Sequence, residues 1–236
     1  MSTRSSNRSE LDASSNEMCD QQPTSRYLQQ HYPRIRTSAS ILNRILRGGT
    51  LLDIGCGNGF LRQFITRDLT LWGLDYSAEH CTQASLAGYE RVLCSDLEKG
   101  IPLDDQIVDA IYAGEVIEHV LQTSKLLTEM FRVLRKGGLI HMTTPNLAYL
   151  LNLVSILRGK QLSKVEYDHC VSDLGHVSYY SPTSLARQLR DTGFTNIVFH
   201  PYVNPQQRLG LRLVYRLSLT LARRNAQYLF VTARKA

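Results

Sequence analysis

The pattern of apolar and polar positions divides the chain into a polar head and a long alternating body. Residues 1–25 are rich in Ser, Asn, Gln and Arg and carry almost no large apolar side chains. Such a stretch buries too little surface to offset its ordering entropy, so a disordered tail is expected, with one folded domain over 26–236. Ile41, Leu42, Ile45 and Leu46 recur at helical spacing, which predicts a helix over 38–46. Residues 50–54 form a short apolar run ending in glycines, as a buried strand does. Residues 59–66 read as a helix and 70–74 as the second strand. Residues 77–86 read as a helix with Ser77 as its N-cap and Glu79 in its first turn. Residues 90–94 and 107–113 are the next two strands. Residues 116–134 read as one long helix closed by Gly137 and Gly138, and 139–144 as a strand stopped by Pro145. Near-continuous apolar strands alternating with helices predict a parallel, doubly wound α/β sheet. Further on, 146–157 and 182–191 read as helices, 158–177 as a loop, and 196–200 and 228–233 as strands. Insertions are expected near 146–178 and 203–225.

Composition narrows the class. A length of 236 residues suits one α/β domain with a tail and insertions. With 43% hydrophobic and 20% charged residues, a wholly disordered chain is excluded. No apolar run reaches the ~18 residues of a membrane span, and no signal peptide is read at the N-terminus. Five cysteines without a CxxC pair argue against a disulfide framework or a Cys-rich zinc site. A reducing, cytoplasmic location is therefore expected. The net charge of +6 is uneven. Residues 157–236 hold 12 Lys+Arg against 4 Asp+Glu, a balance of +8, and residues 1–156 hold 15 against 17, a balance of −2. Any basic surface belongs to the last third.

The strongest local signal is the run Asp53-Ile54-Gly55-Cys56-Gly57-Asn58-Gly59. A strand enters a tight glycine turn and then a helix, whose free N–H groups and bare backbone suit a ligand. The spacing is not the GxGxxG of dinucleotide enzymes, and Asp53 would repel a pyrophosphate. It would instead suit an ammonium group. Asp75 ends the second strand 22 residues after Asp53, where a carboxylate can accept from both hydroxyls of a ribose. Asp96, in Ser95-Asp96-Leu97, follows the third strand and can accept from an adenine amine. A nucleoside with an amino-acid tail satisfies all three.

These motifs resemble those of the class I S-adenosylmethionine-dependent methyltransferases. Asp53 to Gly59 is similar to their first motif, Asp75 to the ribose-binding acid and Ser95-Asp96 to the adenine-binding one. Ile107-Val108-Asp109-Ala110-Ile111-Tyr112 resembles their fourth strand, and Val133-Leu134-Arg135-Lys136-Gly137-Gly138 the turn before their fifth. The resemblance covers roughly residues 35–200. It implies a Rossmann-like sheet of seven strands in the order 3-2-1-4-5-7-6, with strand 7 antiparallel. It implies S-adenosyl-L-methionine bound by Asp53, Gly55, Cys56, Gly57 and Asp75. Tyr76, Asp96, Leu97, Gly114 and Glu115 complete that expected pocket. Tyr27 and Arg36, upstream, are candidates for the methionine carboxylate.

Gly114-Glu115-Val116-Ile117-Glu118-His119 follows the fourth strand, at the end of the sheet where open α/β folds bind ligands. On the first turn of a helix, Glu115, Glu118 and His119 would share one face. Two carboxylates and an imidazole there can hold a divalent metal such as Mg, Mn or Zn, with His176 as the second histidine and His169 and His141 behind it. Alternatively His119 or His176 acts as a metal-free base with Glu118. The stretch resembles the Glu-x-x-Glu-His of ubiquinone-biosynthesis O-methyltransferases. It also resembles the metal-holding cluster of small-RNA 2′-O-methyltransferases. The Asn/Asp-Pro-Pro-Tyr run of many amine methyltransferases is replaced by Ala113-Gly114-Glu115-Val116, which favours an oxygen acceptor. The expected reaction is O-methylation of a small-molecule hydroxyl. Metal-dependent RNA 2′-O-methylation is one alternative, and a catalytically silent cofactor-binding partner subunit another.

The acceptor side is less defined. Thr144-Pro145-Asn146 and His176-Val177-Ser178-Tyr179-Tyr180-Ser181-Pro182 flank an insertion carrying Tyr149, Lys160, Lys164, Tyr167 and His169, which would cover the acceptor. In 205–224, Arg208, Arg212, Arg216 and Arg223 share one arc of a helical wheel, with Leu209, Leu213, Val214, Leu217 and Leu221 on the remainder. Such a helix packs on the domain, touches a membrane surface or meets an anionic acceptor. No RNA-binding module is visible, so nucleic acid is the less expected partner.

Overall fold

The computed structural model describes residues 25–160, 175–205, 210, 212, 213 and 219–236. The chain divides into a unit ending at Arg34 and a body over Ile35–Ala236. Helix α1 (Ser25–Ile45) begins earlier than its apolar repeat implies and carries Pro33 inside it. From Ala39 and Leu42 onwards it covers Leu51 and Leu71 of the sheet. The next elements are β1 (Thr50–Ile54), a 3-10 turn (Phe60–Phe64), β2 (Thr70–Asp75), α2 (Ala78–Leu86) and β3 (Arg91–Cys94). A 3-10 turn (Leu97–Lys99), β4 (Val108–Gly114), a 3-10 turn (Ile117–His119), α3 (Thr123–Val133) and β5 (Leu134–Pro145) follow. Then come α4 (Leu150–Leu157), α5 (Pro182–Thr192), β6 (Phe194–Phe199), α6 (Leu219–Arg224) and β7 (Tyr228–Lys235).

The seven strands lie in the order β3-β2-β1-β4-β5-β7-β6. β7 runs antiparallel to both β5 and β6, and the other pairings are parallel. This is the α/β arrangement the sequence motifs imply. Alternate residues of each strand feed opposite faces. Leu52, Ile54, Ile111, Ile140 and Met142 join the larger core beneath α3 and α5. Leu51, Ala110, Tyr112 and Leu139 join the smaller one beneath α1. All the turns that carry candidate chemistry leave from the carboxyl ends of these parallel strands.

Three sequence expectations are overturned in shape. The helix expected over 59–66 is only a 3-10 turn over Phe60–Phe64. The helix expected over 116–134 is broken: Ile117–His119 is a 3-10 turn, and α3 starts only at Thr123. Gly137 and Gly138 do not close a helix. They lie inside β5 and form a bulge against β4, where Val108 pairs with Leu134 and Ala110 already pairs with Leu139. Gly138 is needed because a Cβ there would come within 2.9 Å of the Asp109 carbonyl. Of the expected amphipathic helix over 205–224, Arg208, Leu209, Val214, Arg216 and Leu217 lie outside the described residues. Arg212 is half-buried, Leu213 and Arg223 are exposed, and only α6 is a described helix in that stretch. Among the described residues no helix is long and apolar enough to cross a membrane.

His141, weighed above as a ligand, is a core residue instead. It lies on the face of β5 opposite to Thr144 and is fully buried. Its Nδ1–H donates to the Val231 carbonyl at 3.0 Å, and its ring stacks on Tyr112 at 5.5 Å. Burial pushes its pKa down to about 3, and His200 nearby adds to the shift. The fold therefore holds His141 neutral, whereas the unfolded chain protonates it below pH ~6.5. Its contribution is complete above that pH and is lost as pH falls towards 3. Thermal unfolding between pH 7 and 5 should show a falling Tm, with a slope approaching about 1.4 kcal/mol per pH unit at the acid end. His141→Leu should be less stable at pH 7 and should show a flatter slope.

Candidate active site

The glycine loop leaves β1 and closes back on β2. The Gly55 N–H donates to the Leu74 carbonyl at 2.7 Å. Gly55 has φ +69, and a Cβ on it would lie 2.7 Å from Val116 Cγ2, so the loop presses directly on the turn after β4. Gly57 has φ +50, and a Cβ there would meet nothing within 4 Å. Its outer side is open to a ligand, while its N–H donates to Asp75 Oδ2 at 2.9 Å. Asp75 Oδ1 accepts from the Ser77 N–H at 3.0 Å and faces His80 Nδ1 at 3.3 Å. Burial alone would raise the pKa of Asp75. The bonds from His80 and from the Ser77 and Gly57 amides outweigh it and hold the carboxyl below its ordinary value. His80 is raised in turn, chiefly by its bond to Asp75.

Asp53 is buried behind the loop and accepts a 2.5 Å hydrogen bond from the Tyr89 hydroxyl. Burial pushes its pKa up to about 7, the Tyr89 bond opposes the rise, and the negative charge of Asp75 adds to it. Burial also raises the Cys56 thiol, which therefore stays protonated and inert. Asp96 is exposed and caps the Leu97–Lys99 turn, accepting from the Glu98 N–H at 2.9 Å. Leu97 is half-buried beside it, and Tyr76 projects outwards. Arg36 is exposed on α1. The side chain of Tyr27 lies outside the described residues. An open glycine backbone, an ionised acid at the end of β2 and a buried acid behind them fit a cationic nucleoside with an amino-acid tail.

The second half of the site is built where β4 ends. Glu115 takes φ 59, a left-handed conformation uncommon for a residue with a side chain, while its N–H donates to the Thr143 carbonyl at 2.9 Å. That kink, and not an α-helical turn, turns the chain into Ile117–His119. Glu118 is buried, and its Oε2 accepts from the Thr144 hydroxyl at 3.0 Å. Its backbone carbonyl accepts from the Val177 and Ser178 amides at 2.8 and 3.1 Å, which draws the segment after Gly175 onto the site. His119 Nδ1 lies 3.3 Å from the Gly175 carbonyl. A carbonyl only accepts, so Nδ1 carries the hydrogen there, and in the neutral ring Nε2 keeps the lone pair. His176 lies with its ring centre 4.9 Å from that of His119. Ligand-type atoms of Glu118, His119 and His176 all fall within 4.8 Å of one another. Glu115, expected to share their face, is outside that group, and it is half-buried. His169, Lys164 and Tyr167 lie outside the described residues. Tyr149 is buried and Lys160 exposed.

The family comparison decides what this architecture belongs to. Residues 26–198 match a family described as "Methyltransferase domain". The chain belongs to the class I S-adenosylmethionine-dependent methyltransferases. A "Probable S-adenosylmethionine-dependent methyltransferase" of Mycolicibacterium smegmatis is 38% identical over 42% of this methyltransferase and 39% of its own length. The mitochondrial ubiquinone biosynthesis O-methyltransferase of Mus musculus is 30% identical over 56% of the chain and 38% of its own length. The match thus spans about two fifths of these two relatives. The ubiquinone biosynthesis O-methyltransferase of Thiobacillus denitrificans is 28% identical over 81% of each chain. Among solved structures, the complex of the Haloferax volcanii Trm112 methyltransferase activator with a methyltransferase matches with a TM-score of 0.65. It is 18% identical and covers 99% of both chains, a likeness of fold.

Three partners in this site escaped the sequence. Tyr89 meets Asp53 across 36 residues, and no local pattern joins them. His80 was within reach, since it follows Asp75 by five residues in the first turn of α2. Thr144 falls in the strand end expected to flank the acceptor side, but its bond to Glu118 depends on the strand's facing.

Proposed function

We propose that this methyltransferase moves a methyl group from S-adenosyl-L-methionine to the hydroxyl of a small organic acceptor. When bound, that cofactor supplies an electrophilic methyl on a cationic sulfur. The Gly55–Gly57 backbone would take its methionine part, Asp75 its ribose hydroxyls, and Asp96 with Leu97 its adenine. Tyr76 would flank the base, Gly114 and Glu115 would border the sulfur side, and Arg36 would pair with the carboxylate. Asp53 would supply negative potential for the ammonium group.

The observation that carries the reading is the gathering of Glu118, His119 and His176 within 4.8 Å, at the turn after β4 whose Val116 Gly55 presses against. His119 Nε2 accepts the acceptor's proton, and the buried Glu118 carboxylate stabilises the imidazolium that forms. His176 orients the hydroxyl or shares the proton. An imidazole base suits a phenolic hydroxyl, whose pKa of about 10 lies within a few units of its own. This agrees with relatives named as O-methyltransferases of ubiquinone biosynthesis. Incubation with labelled cofactor and a panel of phenols and catechols should give O-methyl products. Label found only on nitrogen or carbon acceptors would overturn the assignment.

The same three side chains favour a second reading, a divalent cation. Metal bonds of ~2.0–2.2 Å place ligand atoms about 3–4.4 Å apart, so a small side-chain rotation from the 4.8 Å limit would suffice. Calorimetric titration with Mg²⁺, Mn²⁺ and Zn²⁺ separates the two. A site lost in Glu118→Gln supports the cation, and no heat supports the metal-free base.

Asp53 gives a pH dependence. With its pKa near 7, the carboxyl is largely protonated at pH 6 and must ionise to face an ammonium group. Affinity for S-adenosylhomocysteine should therefore rise from pH 6 to about 7.5 and then level off. Tyr89→Phe removes a bond that lowers Asp53, so the acid limb should move to higher pH. Titration calorimetry across this range would show it.

A further inference from the structure

β3 is the edge strand beside the expected nucleoside site, and its Cys94 lies near Cys81 of α2, a pair of thiols with no assigned role. In the β2–β3 register Asp75 lies opposite Cys94. Cys81 reaches the same place from the first turns of α2. Its thiol donates towards the Asp75 carbonyl at 3.6 Å and lies 3.7 Å from the Leu93 carbonyl. The Cys94 thiol donates to the Tyr76 carbonyl at 3.5 Å. The two sulfurs thus flank the Asp75-Tyr76 segment, close enough for Cys94 to raise the Cys81 thiol. Both cysteines are free, with Cys94 exposed and Cys81 half-buried.

We propose that Cys81 and Cys94 form a reversible disulfide with a small-molecule disulfide as oxidant, and that the bond weakens cofactor binding. The effect on binding rests on Asp75 being the ribose acid, as read above. The chemistry balances with that oxidant alone. Exposed Cys94, as thiolate, attacks one sulfur of the oxidant and forms a mixed disulfide, releasing one small thiol with the proton Cys94 gave up. Cys81 then loses its proton, attacks the Cys94 sulfur and releases the second small thiol. Two protein thiols are oxidised and one disulfide is reduced to two thiols.

The geometry supplies the consequence. A disulfide holds its sulfurs at about 2.05 Å, well inside the contact distance of two unbonded sulfurs. Closing that gap draws the start of α2 towards the end of β3. It also removes both S–H donors from the Asp75 and Tyr76 carbonyls. The peptide that aims the Asp75 carboxylate and the Tyr76 ring is therefore repositioned. Burial, with Cys94 and Asp75 nearby, pushes the Cys81 thiol up to about 11, so it stays protonated until the partner sulfur is activated. This makes exposed Cys94 the point of entry.

The test uses the full chain, treated with oxidised glutathione and then with dithiothreitol. Peptide mapping should recover a Cys81–Cys94 crosslink. S-adenosylhomocysteine binding should weaken about tenfold on oxidation, recover on reduction, and ignore oxidant in Cys94→Ser. A stable glutathione adduct on Cys94 without the crosslink would overturn the proposal. So would a bridge to Cys19, Cys56 or Cys170 instead, or a crosslink that leaves binding unchanged. The crosslink is read by mass whether or not the ligand binds. Reduced protein that fails to bind S-adenosylhomocysteine would instead overturn the cofactor-site reading.

Discussion

His119→Ala should lower kcat by about 10²–10⁴, the usual range for a lost general base, while leaving S-adenosylhomocysteine affinity nearly unchanged. The ring belongs to the Ile117–His119 turn, and its Nδ1 is tied to the Gly175 carbonyl. Truncation therefore removes the proton acceptor without touching the glycine loop. Glu118→Gln should follow in the same direction. The amide keeps a bond to Thr144 but withdraws the charge that stabilises an imidazolium. The measurement is steady-state methyl transfer to a phenolic acceptor at several pH values. A base mechanism predicts that activity lost in His119→Ala is partly restored by raising pH, because the acceptor then ionises in solution. If both variants keep activity within a few-fold of the parent, the cluster does not handle the proton.

Asp75→Ala should weaken S-adenosylhomocysteine binding by about 10²–10⁴. Two hydrogen bonds from ribose hydroxyls to a carboxylate are each worth about 1.5–3 kcal/mol. The same change also releases the Gly57 and Ser77 amides that Asp75 now holds, so the glycine loop loses its anchor. Calorimetry on Asp75→Ala and Asp75→Asn separates the contributions. The amide can still accept from Gly57 and should recover part of the loss. A dissociation constant within threefold of the parent would remove Asp75 from the site.

What the sequence revealed and what it hid follow from the range of the interactions. The glycine loop, Asp75 and the alternating strands are local signals, and their order in the sheet follows from the motifs. The turn carrying Glu118 and His119 was visible as residues, but its shape was not. It rests on the left-handed Glu115 and on Val177 and Ser178 amides nearly sixty residues away. Gly137 and Gly138 look like a helix stop in one dimension, and only the register with β4 shows a bulge. His141 and His176 are equally plausible ligands in the sequence. Strand facing decides between them: His141 points into the core beneath α1, while Leu147 and Asn146, beside Tyr180, tie His176's segment to the end of β5. Tyr89 carries no local sign of its role, because its bond to Asp53 joins residues 36 apart.

The central claim is that one ligand lies between the glycine loop and the Glu118–His119–His176 cluster, and it can be tested in a single crystal structure. With S-adenosylhomocysteine bound, both ribose hydroxyls should contact Asp75, and the sulfur should face His119 and His176. Density elsewhere, or a sulfur turned away from that cluster, would contradict the account.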